Sequence, residues 1–512
     1  MKKTKKSMLS LLIGAVCVCL AFGVSACEAA ETPDDDCKLA FEKNDEGYTV
    51  TGIGEYTDGV LTVPETYKGE PVTAIAAEAF QGYTEIGEVV IPDSVTSIGA
   101  FAFSVCPNIL KITLGDGLKE IGEEAFSYCH NLREVDLGGT VEVIGDKAFM
   151  NCLRVPEIVL PESVLTIGNS AFLDCDLLEN VTFGAKLEKI GTRAFYGCDE
   201  LLGVNIPGGA QTEIGDEAFD VCGKVREIVL GDGVKSIGVR SFDQCYQARY
   251  IILGDGVTTI GEQAFNRCTN AVHITVGKSV TNIDKNAFSC CYIMREVYNR
   301  SALSLAPETG GNGNVALRAL YVYTESGNSR LSATEDGLVL FTLPDEVMLV
   351  SGLQMKNYDL VVPENVTTIG YRSFYNNQYI TNVFIGDNVK KIENSAFQNS
   401  YKIKLVVIGD NVTEIGDSAF RGSRATTKIV LGKNVRSVGL EAFYKMFQYG
   451  TTKAFESVYF AGTESEWSEI VWADGNTHLT DDATVYFYSE TEPLAAGNYW
   501  RYVDGEPVVW GA

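Results

Sequence analysis

Three histidines, His130, His273 and His478, are the side chains best suited to proton transfer or metal ligation in this chain of 512 residues. None has a cysteine or carboxylate at ligand spacing, and His130 and His273 read as solvated structural side chains. There is no G-x-S-x-G elbow, H-E-x-x-H helix or phosphate-cradling glycine loop. Carboxylates are abundant, but abundance is not the paired geometry of a general acid and its base. Asp116, Asp232 and Asp255 sit in Gly-Asp-Gly, and Asp387 and Asp410 in Gly-Asp-Asn. Stacked, they could form an acidic ridge for calcium. The same dipeptides suit a tight turn, and one carboxylate per unit is too few ligands. No catalytic, cofactor or metal site is expected, and the chain reads as a non-enzyme.

Cysteine is the other reactive side chain, and it falls in a row: Cys106, Cys129, Cys152, Cys175, Cys198, Cys222, Cys245, Cys268 and Cys291. Each lies three residues after a phenylalanine. Residues in one register on stacked strands have parallel Cβ vectors about 4.8 Å apart, beyond the Cβ separation a disulfide spans. The row therefore reads as a buried ladder of small apolar side chains. The equivalent positions Asn377, Ser400, Ser423 and Met446 support this. Cys37 and Cys290 fall outside the register.

The element that must position these residues is a repeat. Phenylalanine recurs from Phe80 to Phe288 and again from Phe374 to Phe443, at a spacing of 23 broken once by a spacing of 24 at Phe219. A fixed period in this range specifies a solenoid, in which neighbouring coils supply one another's core. In the unit Cys129–Phe149, Val135 and Leu137 alternate as on a half-buried strand, Gly138-Gly139 turns the chain, and Ile144-Gly145 with Ala148-Phe149 returns it. The stretch I-P-x-S-V-T-S-I-G-x-x-A-F at Ile91–Phe103 resembles the BspA-like (Treponema-type) leucine-rich repeats, over most of 73–297 and 361–447. That resemblance implies a bacterial surface protein of a kind that includes adhesins for host matrix proteins or other bacteria.

The expected fold is a β-rich, right-handed leucine-rich repeat solenoid of 23-residue coils with β caps, in two tandem arrays. Its segments are a lipoprotein signal peptide (1–26), an acidic linker (27–45), an N-terminal β cap (46–72), array 1 (73–297), a β-rich island or second cap (298–362), array 2 (363–447) and an aromatic C-terminal cap (448–512). The leader has a basic start, an apolar run, and Val24-Ser25-Ala26-Cys27, which fits a lipobox with lipid attached to Cys27. The protein is then expected on the outer face of a bacterial cell, touching membrane only through that lipid. Net charge of −27 argues against nucleic acid.

Function is expected on the outward strand positions, where Tyr250, Ile252, His273, Phe384, Leu405 and Val407 are candidate partner-binding residues. Contiguous exposed apolar side chains mark interaction surfaces; alternatively, flanking loops fold over this face. The expected partner is a host or bacterial surface protein held by a monomeric scaffold. The alternative is glycan or ligand capture by the tryptophan-rich C-terminal cap, whose rings could instead plug the last coil.

Overall fold

The computed structural model describes residues 38–56, 58–207, 211–352, 355, 358–446, 457–481, 483–494, 497–503 and 506–511. The leader 1–26, Cys27 and Cys37 lie outside the described residues. Residues 38–512 form one compact unit.

Each coil contributes two short parallel strands, illustrated by Lys111–Leu114 and Glu120–Ile121. In the first, Ile112 and Leu114 are buried while Lys111 and Thr113 point outward. The period-two alternation of the sequence thus sets which side faces the core. Neighbouring coils pair in strict register, Glu88 with Lys111 and Lys111 with Glu134. The second strands of array 1 join a 13-stranded sheet, and the outward strands form sheets of four, two and six strands.

The phenylalanines run down the core as a ring stack, with Phe103 and Phe126 centroids 5.0 Å apart and the rings 3° from parallel. The cysteine ladder lies beside it. Cys129 Sγ donates to the Phe103 carbonyl at 3.3 Å, and each ladder thiol makes the equivalent bond to a phenylalanine carbonyl. These thiols are free, and burial raises their pKa, to about 11 at Cys106 and about 12 at Cys175. In array 2, Ser400 and Ser423 bond Phe374 and Phe397 carbonyls from the same positions.

The tight side of each coil uses left-handed backbone. Two residues after the phenylalanine, φ is 58° at Val105, 59° at Tyr128 and 60° at Asn151, and glycine takes the same place at Gly82, Gly197 and Gly422. The amide of each reaches the next coil, as Val105 N does to Ser127 O at 2.8 Å, so stacking holds a conformation that costs about 1–2 kcal/mol locally.

The aspartate row forms the turns. Asp116 Oδ1 accepts the Gly139 amide, Asp232 Oδ1 that of Asp255, Asp387 Oδ1 that of Asp410, and Asp410 Oδ1 that of Lys433. These carboxylates staple one turn to the next, and no group of three potential metal ligands occurs among the described residues.

At the N-terminus, Ala40–Lys43 pairs antiparallel with Tyr48–Gly52. That strand falls inside the 27–45 segment read as linker, so the end of that segment is part of the cap. The island carries the antiparallel meander Leu331–Ala333, Val339–Leu343 and Glu346–Ser351. Its two faces serve different arrays. Leu338, Leu340 and Leu349 enter the core of array 2, whereas Val339, Phe341, Met348 and Val350 pack on Val272 and Ile293 of array 1. Tyr321–Tyr323 ends one sheet and Leu331–Ala333 begins another, so side chains rather than a shared sheet join the arrays. Among the described residues, no helix is long and apolar enough to cross a membrane.

Candidate functional site: two grooves on the strand face

The outward positions of neighbouring coils are brought side by side by register. In array 1, Tyr250 pairs with His273 and His273 with Glu296, while Ile252 pairs with Thr275. In array 2, Val361 pairs with Phe384, Phe384 with Val407, and Val407 with Val430, with Leu405 two residues before Val407 on the same strand. The six candidate residues therefore form two separate surfaces.

The first surface is partly covered. Tyr250 packs against the cluster built from the island meander, and the loop before that meander leaves a groove of about 320 Å³ lined by Tyr250, Ile252, His273, Ser329 and Leu331. Its polar centre is the fully buried Glu296. Glu296 Oε1 lies 2.9 Å from His273 Nδ1 and accepts from Ser329 Oγ at 2.6 Å; Oε2 accepts the Arg330 amide at 2.8 Å. Burial pushes this carboxyl up, but the bonds from His273, Ser329 and Arg330 outweigh it and hold it below the usual glutamate value. His273 Nε2 lies 3.0 Å from Thr275 Oγ1.

The expectation of a solvated, acid-free His273 is thus corrected: its ring is largely buried and its carboxylate partner lies one coil away. Hydroxyl, imidazole and carboxylate follow one another here as in a nucleophile relay. Glu296 is nevertheless saturated by the 329–330 loop, and Thr275 is buried within a strand. The network latches the loop onto array 1. Glu296, Ser329 and Arg330 were not singled out from the sequence; the spacing of one coil between His273 and Glu296 was the available signal.

The second surface is more open. Val361 is 67% exposed, Phe384, Leu405 and Val407 are half-buried, and Val430 and Tyr459 are covered. The cover is the chain's own C-terminal hairpin, Tyr499–Val503 with Glu506–Val509. Trp500 is fully buried, edge-on to Tyr459 at 5.6 Å, and donates Nε1–H to the Phe460 carbonyl at 2.8 Å. Trp467 and Trp472 pack against the array 2 core. These indoles plug the last coils and do not form an outward platform. Where the hairpin stops, a groove of about 390 Å³ runs between Val407 and Val430 on the strands, Asp387 and Asp410 on the turns, and Tyr488 and Tyr502 on the cap. Val361, Tyr488 and Tyr502 were not among the sequence candidates. Val361 lies ahead of the second phenylalanine run, and the tyrosines reach the face only through the fold of the tail.

Parallel coils of one strand face and one return strand, built on apolar rows of fixed period, define a leucine-rich repeat solenoid. The model of the BspA type leucine rich repeat region matches residues 73–202, 212–305 and 354–465, and the chain belongs to that family. The fold is similar to a leucine-rich repeat protein from Bacteroides ovatus, at 22% identity over 88% of this chain and 98% of that one, with a TM-score of 0.43. A leucine rich cell surface protein from Faecalibacterium prausnitzii is 18% identical over 85% of this chain and 96% of that one, with a TM-score of 0.30. The T. pallidum leucine rich repeat protein is 28% identical over 43% of this chain and 91% of that one, with a TM-score of 0.33. No curated protein matches the chain.

Proposed function

We propose that this chain is an adhesion or protein-binding scaffold displayed on the bacterial surface through a lipid on Cys27, and that it holds a protein partner on the strand face of array 2 without catalysis. The observation that carries the reading is the row Val361, Phe384, Val407, Val430 and Tyr459, apolar along its length and covered at one end only. The C-terminal hairpin covers Val430 and Tyr459, with Val407 at the edge of that cluster, as a partner segment would cover Val361 and Phe384. A pre-formed strand face has little ordering to lose on binding, which favours recognition by area. The groove wall also carries Asp387 and an Asp410–Lys433 ion pair at 3.1 Å, so its rim suits a partner segment with polar side chains around an apolar centre. Tyr250, Ile252 and His273 serve mainly to seat the island against array 1 in this reading.

The test is binding of the purified protein to a panel of host matrix and bacterial surface proteins. Joint replacement of Val361, Phe384 and Val407 by serine is expected to weaken binding by about tenfold or more while leaving the thermal midpoint near wild type. Undiminished binding by that variant would sink the reading.

A further inference from the structure

A cleft of about 840 Å³ opens where the cysteine-side turns of array 1 face those of the first coil of array 2. Its size is within the roughly 300–1,000 Å³ of small-ligand sites. In a chain of net charge −27, its wall carries Arg226 and Arg372 and neither aspartate nor glutamate. Among the described residues, neither guanidinium is in an ion pair.

Arg372 is held by aromatic faces instead. Its guanidinium carbon lies 4.3 Å from the Tyr292 ring centroid and 4.4 Å from that of Tyr375. Its buried Nε makes no hydrogen bond among the described residues. A cation fixed by stacking is pre-oriented for a planar anion and loses little freedom on binding it.

The other wall groups point to a sugar. Tyr246 and Tyr379 remain 41% and 59% exposed at the cleft. The Tyr246 hydroxyl is tied back to Gln244 Oε1 at 2.6 Å, within its own coil. Gln247 and Gln378 add side-chain amides, Gln378 with its oxygen open among the described residues and its Nε2 donating to the Asn376 carbonyl at 3.2 Å. Aromatic faces stack on the C–H face of a pyranose, amides exchange hydrogen bonds with its hydroxyls, and guanidinium groups match a carboxylate. A neutral sugar would leave both arginines unused, and an acidic peptide would not call for two exposed tyrosine faces.

We propose that this inter-array cleft binds a carboxylated oligosaccharide. It is distinct from the strand-face groove, and either can fail without the other. The experiment is isothermal titration of the purified protein with trigalacturonate, a sialylated trisaccharide, fully methyl-esterified trigalacturonate and triglutamate, at physiological ionic strength. At least one acidic sugar is expected to bind about tenfold or more tighter than the ester and the peptide. The variants Arg226→Gln and Tyr379→Ala, both at exposed side chains, are each expected to weaken that binding about tenfold with the thermal midpoint unchanged. The proposal is overturned if both acidic sugars bind no tighter than the ester, if triglutamate binds as well as they do, or if both variants bind like wild type.

Discussion

His273 and Glu296 are 23 residues apart in the chain and 2.9 Å apart in the fold, and Glu296 also accepts from Ser329 and Arg330 of the loop that runs from the island onto the strand face of array 1. Glu296 is bonded as a carboxylate, so its contribution to stability is present above the unfolded value of about 4.5 and is lost as pH falls below it through the lowered folded value.

Glu296→Gln is expected to cost about 2–3 kcal/mol, because an amide N–H then faces the donors that met an anion. Denaturant unfolding at neutral pH and again below pH ~4 checks this. The gap between wild type and variant should narrow on the acid side. A gap independent of pH would contradict the assignment.

The ladder thiols should behave as buried small side chains. Cys175→Ser is expected to change stability by less than about 1 kcal/mol, since Ser400 and Ser423 make the same bond to a phenylalanine carbonyl. In the native protein the ladder should resist alkylation, because burial disfavours its thiolates. Unfolded without reductant, all of these cysteines should alkylate; disulfides among them would refute the ladder.

Val105→Gly should stabilise the protein. Val105 holds φ at 58° with a β-branched side chain that is 49% exposed, where Gly82, Gly197 and Gly422 sit in other coils. Relief of the left-handed strain is expected to exceed the entropy cost of glycine, with a net gain of about 0.5–1 kcal/mol in thermal or denaturant melts. A loss of stability would show that packing of the Val105 side chain outweighs the relieved strain.

Trp500→Ala should uncover the array 2 face. Loss of a fully buried indole costs about 3–5 kcal/mol locally. Freed from it, Val430 and Tyr459 extend the open apolar row, and binding of a hydrophobic dye should rise while the phenylalanine stacks stay folded. Unchanged dye binding would mean that other residues of the hairpin hold the cover.

Much of this architecture could be read from the chain. The phenylalanine beat gave the coil, and the cysteine register gave the ladder, because both are local patterns repeated in phase. The mostly apolar run Leu338–Leu343 announced a strand but not its two destinations. Alternation puts Leu338 and Leu340 on one side and Val339 and Phe341 on the other, and only the fold says that each side meets a different array. The burial of His273 depends on a loop arriving more than fifty residues later in the chain, at Ser329 and Arg330. Phe384 and Val407 were legible as an apolar row. The wall formed by Tyr488 and Tyr502 was not, since no periodicity relates the tail to the strands it covers.

The aspartate staples carry an evolutionary consequence. Each joins a turn only to the next, and the strands on either side pair in the same one-coil register. A duplication or deletion of one whole coil therefore leaves every remaining joint with a matching partner, whereas a residue gained within a coil, as before Phe219, has to be absorbed locally, here as a register shift at Thr212–Glu213. The length of array 1 is in this sense a dial that recombination can turn in steps of one strand spacing, about 4.8 Å. Lineages could reset how far the second array stands from the amino-terminal end without altering either groove.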